Sequence, residues 1–292
     1  MQRPHAPDFE AFVSDARRRP QLWRLLAGIC VAALIYTLWA WAVIAVYGWV
    51  LGRNRAATVG LGLTPGDVYV LLASVVGLAL GVILSALFLH RRRPGSLFGP
   101  SATVLRDFIS TAAVVGAVEG VALVFWSMSH DMEPGLDLSV WLPLLPLSLL
   151  IILVQTGAEE LAFRGYLQQQ LAARFHSPFV WMLIPSLGFG AAHYSPHVTG
   201  GNLWLFVLGA ACFGLAAADL TARTGSIGAA WGFHFANNTS ALLVIGLKDM
   251  VPGLALFVTP FSLEDQRGGT TIALVTLALG AAWFMARLAL RR

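Results

Sequence analysis

The chain has 292 residues, a formal net charge of +4, 57% hydrophobic and only 12% charged residues, and a mean hydropathy of +0.72. Soluble domains carry about 25% charged residues, so this composition excludes a disordered protein, a disulfide scaffold and an ordinary cytosolic enzyme. What remains is an all-α polytopic membrane protein.

A bilayer core takes about 20 apolar residues per helix. Eight candidate runs follow in chain order, at roughly 22–51, 68–90, 103–128, 138–172, 179–195, 203–221, 225–247 and 270–290. The first is too long for a signal-peptide core and reads as a retained anchor. The fourth is too long for one straight crossing; its polar end, from Tyr166 to Phe175, is expected to emerge into the interface. The runs suggest four segments: 1–21 before the first span, 22–137 with three spans, a core at 138–247, and 248–292 with an outer loop and the last span.

Most of the 19 Lys and Arg fall on one side if eight spans alternate, among them Arg17, Arg18, Arg19, Arg91, Arg92, Arg93 and Arg223. The positive-inside rule then places both termini in the cytoplasm of a multi-pass cell-membrane protein. The same placement argues against nucleic acid as a partner, since these arginines stand where headgroups are. Cys30 and Cys212 lie inside apolar runs and are expected to be small buried packing residues. His5, His90, His130 and His176 flank spans and are expected to be solvated; His197 falls in an outer loop with no assigned role. Trp23, Trp49, Trp126 and Trp141 near span ends suit an interfacial belt. Pro143, Pro146 and Pro185 can kink spans four and five and open a water-filled space. The 248–269 loop is expected to lie partly over the outer face.

Ionisable groups inside spans are costly and are functional candidates by default. Span three has Glu119, which can bond across helices or line a cavity. Span four has Glu159, Glu160 and Arg164, span five His193, span six Asp219, and span seven His234, Asn237 and Asn238. At about 100° per residue, Glu160 and Arg164 lie one turn apart in good ion-pair geometry. Glu159 faces elsewhere, without that partner, as a carboxylate suited to take a proton from water. His234 and Asn238 share a face, and Phe189 lies one turn before His193, where it can fix the imidazole. Counted along the helices, these groups reach similar depths near mid-membrane.

Glu159-Glu160-x-x-x-Arg164, Phe189-x-x-x-His193 and His234-x-x-x-Asn238, in that order on successive helices, resemble the CPBP family. This is the CAAX-protease and bacteriocin-processing group, also called ABI proteins, which includes the Ras-converting CAAX prenyl endopeptidase. The resemblance covers roughly residues 138–247 and extends to Phe163-Arg164-Gly165 and Gly225-Ser226. It implies an intramembrane endopeptidase of about eight spans. Glu159 with His193 would activate the attacking water, His234 and Asn238 would hold the oxyanion, and Glu160, Arg164 and Phe189 would support them. The substrate would be a peptide or protein segment near the cytoplasmic membrane face. No cofactor is needed in this reading. Zinc is the alternative, but zinc sites usually have three protein ligands, and with two core histidines a glutamate must be the third. Two other readings stay open: a non-catalytic immunity or regulatory membrane protein that keeps the polar cluster for assembly or partner binding, and a proton-coupled transporter, disfavoured because no internal repeat is visible.

Overall fold

The computed structural model describes residues 6–194 and 201–290. It is an all-α polytopic membrane protein. Among the described residues six helices are long and apolar enough to cross a bilayer: α2 (Leu22–Leu51), α3 (Pro65–Phe88), α4 (Pro94–Met128), α5 (Leu138–Arg174), α7 (Gly201–Thr224) and α9 (Gln266–Ala289). Shorter helices include α1 (Pro7–Val13), α6 (Phe179–Ala192) and α8 (Gly228–Thr239). The fifth and seventh apolar runs, read as full spans, therefore form shorter helices. Helix α6 stops at Ala192, which leaves His193 as its cap, and α8 passes into a π-helical turn at Ser240–Val244. His5 and His197 lie outside the described residues.

Local chemistry sets several boundaries. Thr64 and Asp67 form a reciprocal capping box at the start of α3, with Pro65 at its first position. Tyr47 of α2 donates to the same Asp67 at 2.7 Å. Helix α5 contains Pro143 and Pro146 and widens into a π-helix over Leu161–Gln168. A second π segment, Phe179–Leu183, lies just before Pro185 in α6. Proline removes a backbone donor and clashes with the preceding turn, so a rearranged turn there has a local cause.

Helices α5 and α8 occupy the centre. Phe189, Phe213, Phe233 and Val115 form one apolar cluster around α8, and Tyr166, Leu171, Trp181 and Phe9 form another around the end of α5. Gly165 shows how tightly α5 is seated. A Cβ there would stand 2.5 Å from the Leu97 carbonyl oxygen, which is backbone and has little room to move. Gly165→Ala is expected to cost about 1–3 kcal/mol, the usual range for overpacking. Thermal unfolding in detergent checks this, and an unchanged midpoint would show that α4 yields more readily than its backbone suggests.

Over one end of the bundle, β1 (Glu133–Pro134), β2 (Ile245–Gly246) and β3 (Phe257–Val258) form a small sheet in the order β1-β3-β2. β1 pairs antiparallel and β2 parallel to β3, with Glu133 opposite Val258 and Ile245 opposite Phe257. Leu254 of the 248–269 loop is buried with Val68, Leu72, Ile152 and Leu243. The loop is thus packed onto the bundle.

Several surface expectations are corrected. Cys30 and Cys212 are exposed on the protein surface rather than buried. Lipid covers apolar helix faces, so a small side chain need not turn inward. The end of α5 does not emerge as a solvated stretch. Gln168, Gln169 and Gln170 are buried; Gln168 donates to the Ala218 carbonyl and Gln169 to the Ser96 carbonyl, both at 3.0 Å. His90 is buried too. Its Nδ1 bonds the Arg19 carbonyl at 3.2 Å and must donate there, so Nε2 accepts from the Tyr166 hydroxyl at 2.9 Å. Burial holds the His90 pKa below its ordinary value, with Arg92 and Arg24 adding to the effect against the Arg19 carbonyl. Arg92, also buried, donates to Gln169, and its pKa is lowered to about 10 by desolvation. His176 is exposed, as expected, but His130 stacks on Trp126 at 3.9 Å. Trp23 and Trp49 are exposed, whereas Trp141 donates to the Leu243 carbonyl at 2.9 Å.

Candidate active site

The first part of the site is built on α5. Arg164 Nη1 donates to Glu160 Oε1 at 3.0 Å, and the two side chains are 1% and 0% exposed. Arg164 Nη2 also donates to the Gly214 carbonyl at 3.0 Å and so ties α5 to α7. The guanidinium lies over the Phe189 ring at 4.8 Å, a cation–π contact. The one-turn pairing expected from the sequence is present although Arg164 lies in the π-helical segment.

Helix α8 brings His234 to the same carboxylate. Its Nδ1 lies 2.8 Å from Glu160 Oε1. A carboxylate held by arginine is acceptor-only, so His234 keeps its proton on Nδ1. The ring's other nitrogen then points to Glu159, with Nε2 3.7 Å from Glu159 Oε2. Phe189 and Phe213 close the ring edgewise, at centroid distances of 5.6 and 5.0 Å. These contacts fix both the tautomer and the rotation of the imidazole.

Glu159 is not a member of the Arg164–Glu160 ion pair. Its Oε1 accepts from Gln155 Nε2 at 2.6 Å. Its Oε2 is buried and has no hydrogen-bond partner among the described residues. Gln155 Oε1 in turn accepts from Asn238 Nδ2 at 3.0 Å, and Asn238 Oδ1 accepts from Asn237 Nδ2 at 3.1 Å. Gln155 was not among the sequence candidates. Its signal was available: a glutamine within an apolar run, one turn before Glu159.

His193 sits at the end of α6. Its Nδ1 is 2.8 Å from the Phe189 carbonyl and must donate to it, which leaves the Nε2 lone pair available. Its ring packs on Phe189 at 4.6 Å, so Phe189 touches both imidazoles. Phe189 links His193 to the cluster; the direct imidazole contact to Glu159 comes from His234. Glu119 stands on the other side of α8 and accepts from Ser240 at 2.5 Å, a bond between helices. Asp219 accepts from Trp283 at 2.9 Å and pairs with Arg223 and Arg287.

Among the described residues no group of three or more His, Cys, Asp or Glu side chains is placed to hold a metal ion. Glu160 Oε1 is already committed to Arg164 and His234.

These helices and this cluster define a polytopic membrane protein with a carboxylate–imidazole centre inside its helical bundle. Residues 141–240 match the family model described as Rce1-like, type II CAAX prenyl endopeptidase Rce1-like. The matched segment contains all seven candidate residues and bears out the family resemblance read from the motifs. The uncharacterized protein YyaK of Bacillus subtilis (strain 168) is 30% identical over 179 residues. That alignment covers 59% of this chain and 59% of the relative, so less than two thirds of the relative's length is spanned. No solved structure matches.

Proposed function

We propose that this protein is an intramembrane endopeptidase of the CAAX-protease type that hydrolyses a peptide bond with a carboxylate-activated water. The observation that carries this reading is the contrast between the two neighbouring glutamates. Glu160 Oε1 is held by the Arg164 guanidinium and the His234 imidazole, while Glu159 Oε1 is held only by the neutral amide of Gln155; Oε2 of each is buried without a hydrogen-bond partner among the described residues, and that of Glu159 lies 3.7 Å from His234 Nε2. Two adjacent carboxylates with such different surroundings support different roles.

Glu159 Oε2 takes a proton as the water oxygen attacks the scissile carbonyl carbon. His193, with Nδ1 held by the Phe189 carbonyl, accepts a hydrogen bond from the same water at Nε2. Electron density moves to the carbonyl oxygen, which is met by donors from His234 Nε2–H in its protonated form and from the Asn238 amide. Each such donor contributes about 3–4 kcal/mol to the transition state. Collapse of the tetrahedral adduct breaks the C–N bond, and the proton on Glu159 passes to the leaving amine. Every step uses side chains of this protein and a water; no metal is required.

The substrate is an extended peptide segment entering near the cytoplasmic membrane face, with both termini of the enzyme on that side. The family description supports a peptide substrate, and the charge distribution of the loops supports the orientation. The test is to reconstitute the purified protein in lipid and offer a prenylated peptide and a bacteriocin-like leader peptide, with and without a chelator. Cleavage that persists after chelation is expected. Reversible loss on metal removal would replace this mechanism with a metal-dependent one. A partner complex without measurable cleavage would favour the non-catalytic reading.

A further inference from the structure

The three carboxamides beside Glu159 run in one sense. Asn237 donates to Asn238, Asn238 to Gln155, and Gln155 to Glu159. Asn238 and Gln155 each accept on the oxygen and donate from the nitrogen, and Asn237 donates into the row. Turning any one of them over would set nitrogen against nitrogen or oxygen against oxygen. The row therefore holds its members collectively, and it ends on a carboxylate, which can accept without donating. Gln155 is the link between helices: it is 5% exposed and joins α5, which carries the base, to α8, which carries the amide assigned to the oxyanion.

We propose that Gln155 is a positioning residue of the site. Its amide nitrogen occupies Glu159 Oε1 and leaves Oε2 as the oxygen that meets water. Its carbonyl oxygen takes one N–H of Asn238 and leaves the second for the substrate oxyanion. This inference rests on the peptidase reading for its catalytic consequence, and on the hydrogen bonds alone for the geometry of Glu159.

Gln155→Met has similar length and volume but lacks both bonds. It is expected to lower kcat about 10- to 100-fold, the scale of a misplaced catalytic group, with KM within about twofold and an unchanged melting temperature. In an Asn238→Ala background the same substitution should cost clearly less, because part of its effect passes through Asn238. A second readout needs no substrate. The carboxylate stretching band of Glu159, identified as the infrared band lost in Glu159→Gln, should shift in Gln155→Met. If the methionine variant does not fold, Gln155→Glu keeps the shape and the acceptor for Asn238 while losing the donor, and a comparable fall in kcat is expected. Wild-type kcat in either folded variant, or an unmoved Glu159 band in Gln155→Met, would overturn the positioning role. Absence of cleavage by the wild-type protein together with a shifted band would instead end the peptidase reading and leave the geometric assignment of Glu159 in place.

Discussion

Glu159→Gln is expected to abolish cleavage, by at least about 10³-fold, while leaving the protein folded. General-base catalysis accounts for roughly 10²–10⁴ in rate, and a glutamine in this position cannot take the proton. The fold should survive because residue 159 is not part of the Arg164 ion pair. Its side chain is 15% exposed, and its hydrogen bond comes from Gln155 on the same helix. A glutamine oxygen can still accept that bond. The measurement is turnover of a peptide substrate beside a thermal melt of the same preparation. A variant that cleaves at a normal rate removes Glu159 as the base. A variant that melts far below the wild type makes Glu159 a structural residue instead.

Arg164→Met is expected to act on stability first. It removes the guanidinium bonded to Glu160, together with the bond to the Gly214 carbonyl, from a place where both members of the pair are almost fully enclosed. Breaking a buried pair by removing one partner costs about 3–5 kcal/mol, because the remaining charge stays desolvated. His234 would be the one side chain still bonded to Glu160, which would also loosen the imidazole opposite Glu159. Unfolding midpoints in detergent or bicelles should therefore drop, and activity should fall even below the melting range. Glu160→Gln should lower the midpoint as well, because it leaves the buried Arg164 guanidinium without its counter-charge, although the glutamine oxygen can still accept its hydrogen bond. If Arg164→Met melts like the wild type, the pair does not hold the core together.

The in-helix part of this centre could be read from residue spacing. Glu160 and Arg164 are one turn apart, so their pairing depends on a single helix. The same holds for Phe189 with His193 and for the common face of His234 and Asn238. The contact between His234 and Glu160 depends on how two helices rotate against each other, and no local pattern encodes that angle. The π-helical turns were hidden for a related reason: the hydrophobic period does not encode them. Burial of His90 was equally hidden, because its partners come from Arg19 and Tyr166, far away in sequence. Exposure of Cys30 and Cys212 was hidden as well, because in a chain whose outer faces are apolar a hydrophobic run does not say which of its small residues turn inward.

Helix α1 has a practical corollary. Phe9 and Val13 are completely enclosed, Phe9 lies 5.0 Å from Trp181, and Arg17 grips both Glu10 and the Ala173 carbonyl. The segment ahead of the first long helix is thus a wedge packed against the end of α5 and the start of α6, the two helices that carry Arg164 and His193. Trimming it to simplify expression, or fusing a bulky carrier close to Phe9, would uncover an indole and unsettle the joint, so a silent preparation made that way would report damage to the wedge rather than the chemistry of the pocket.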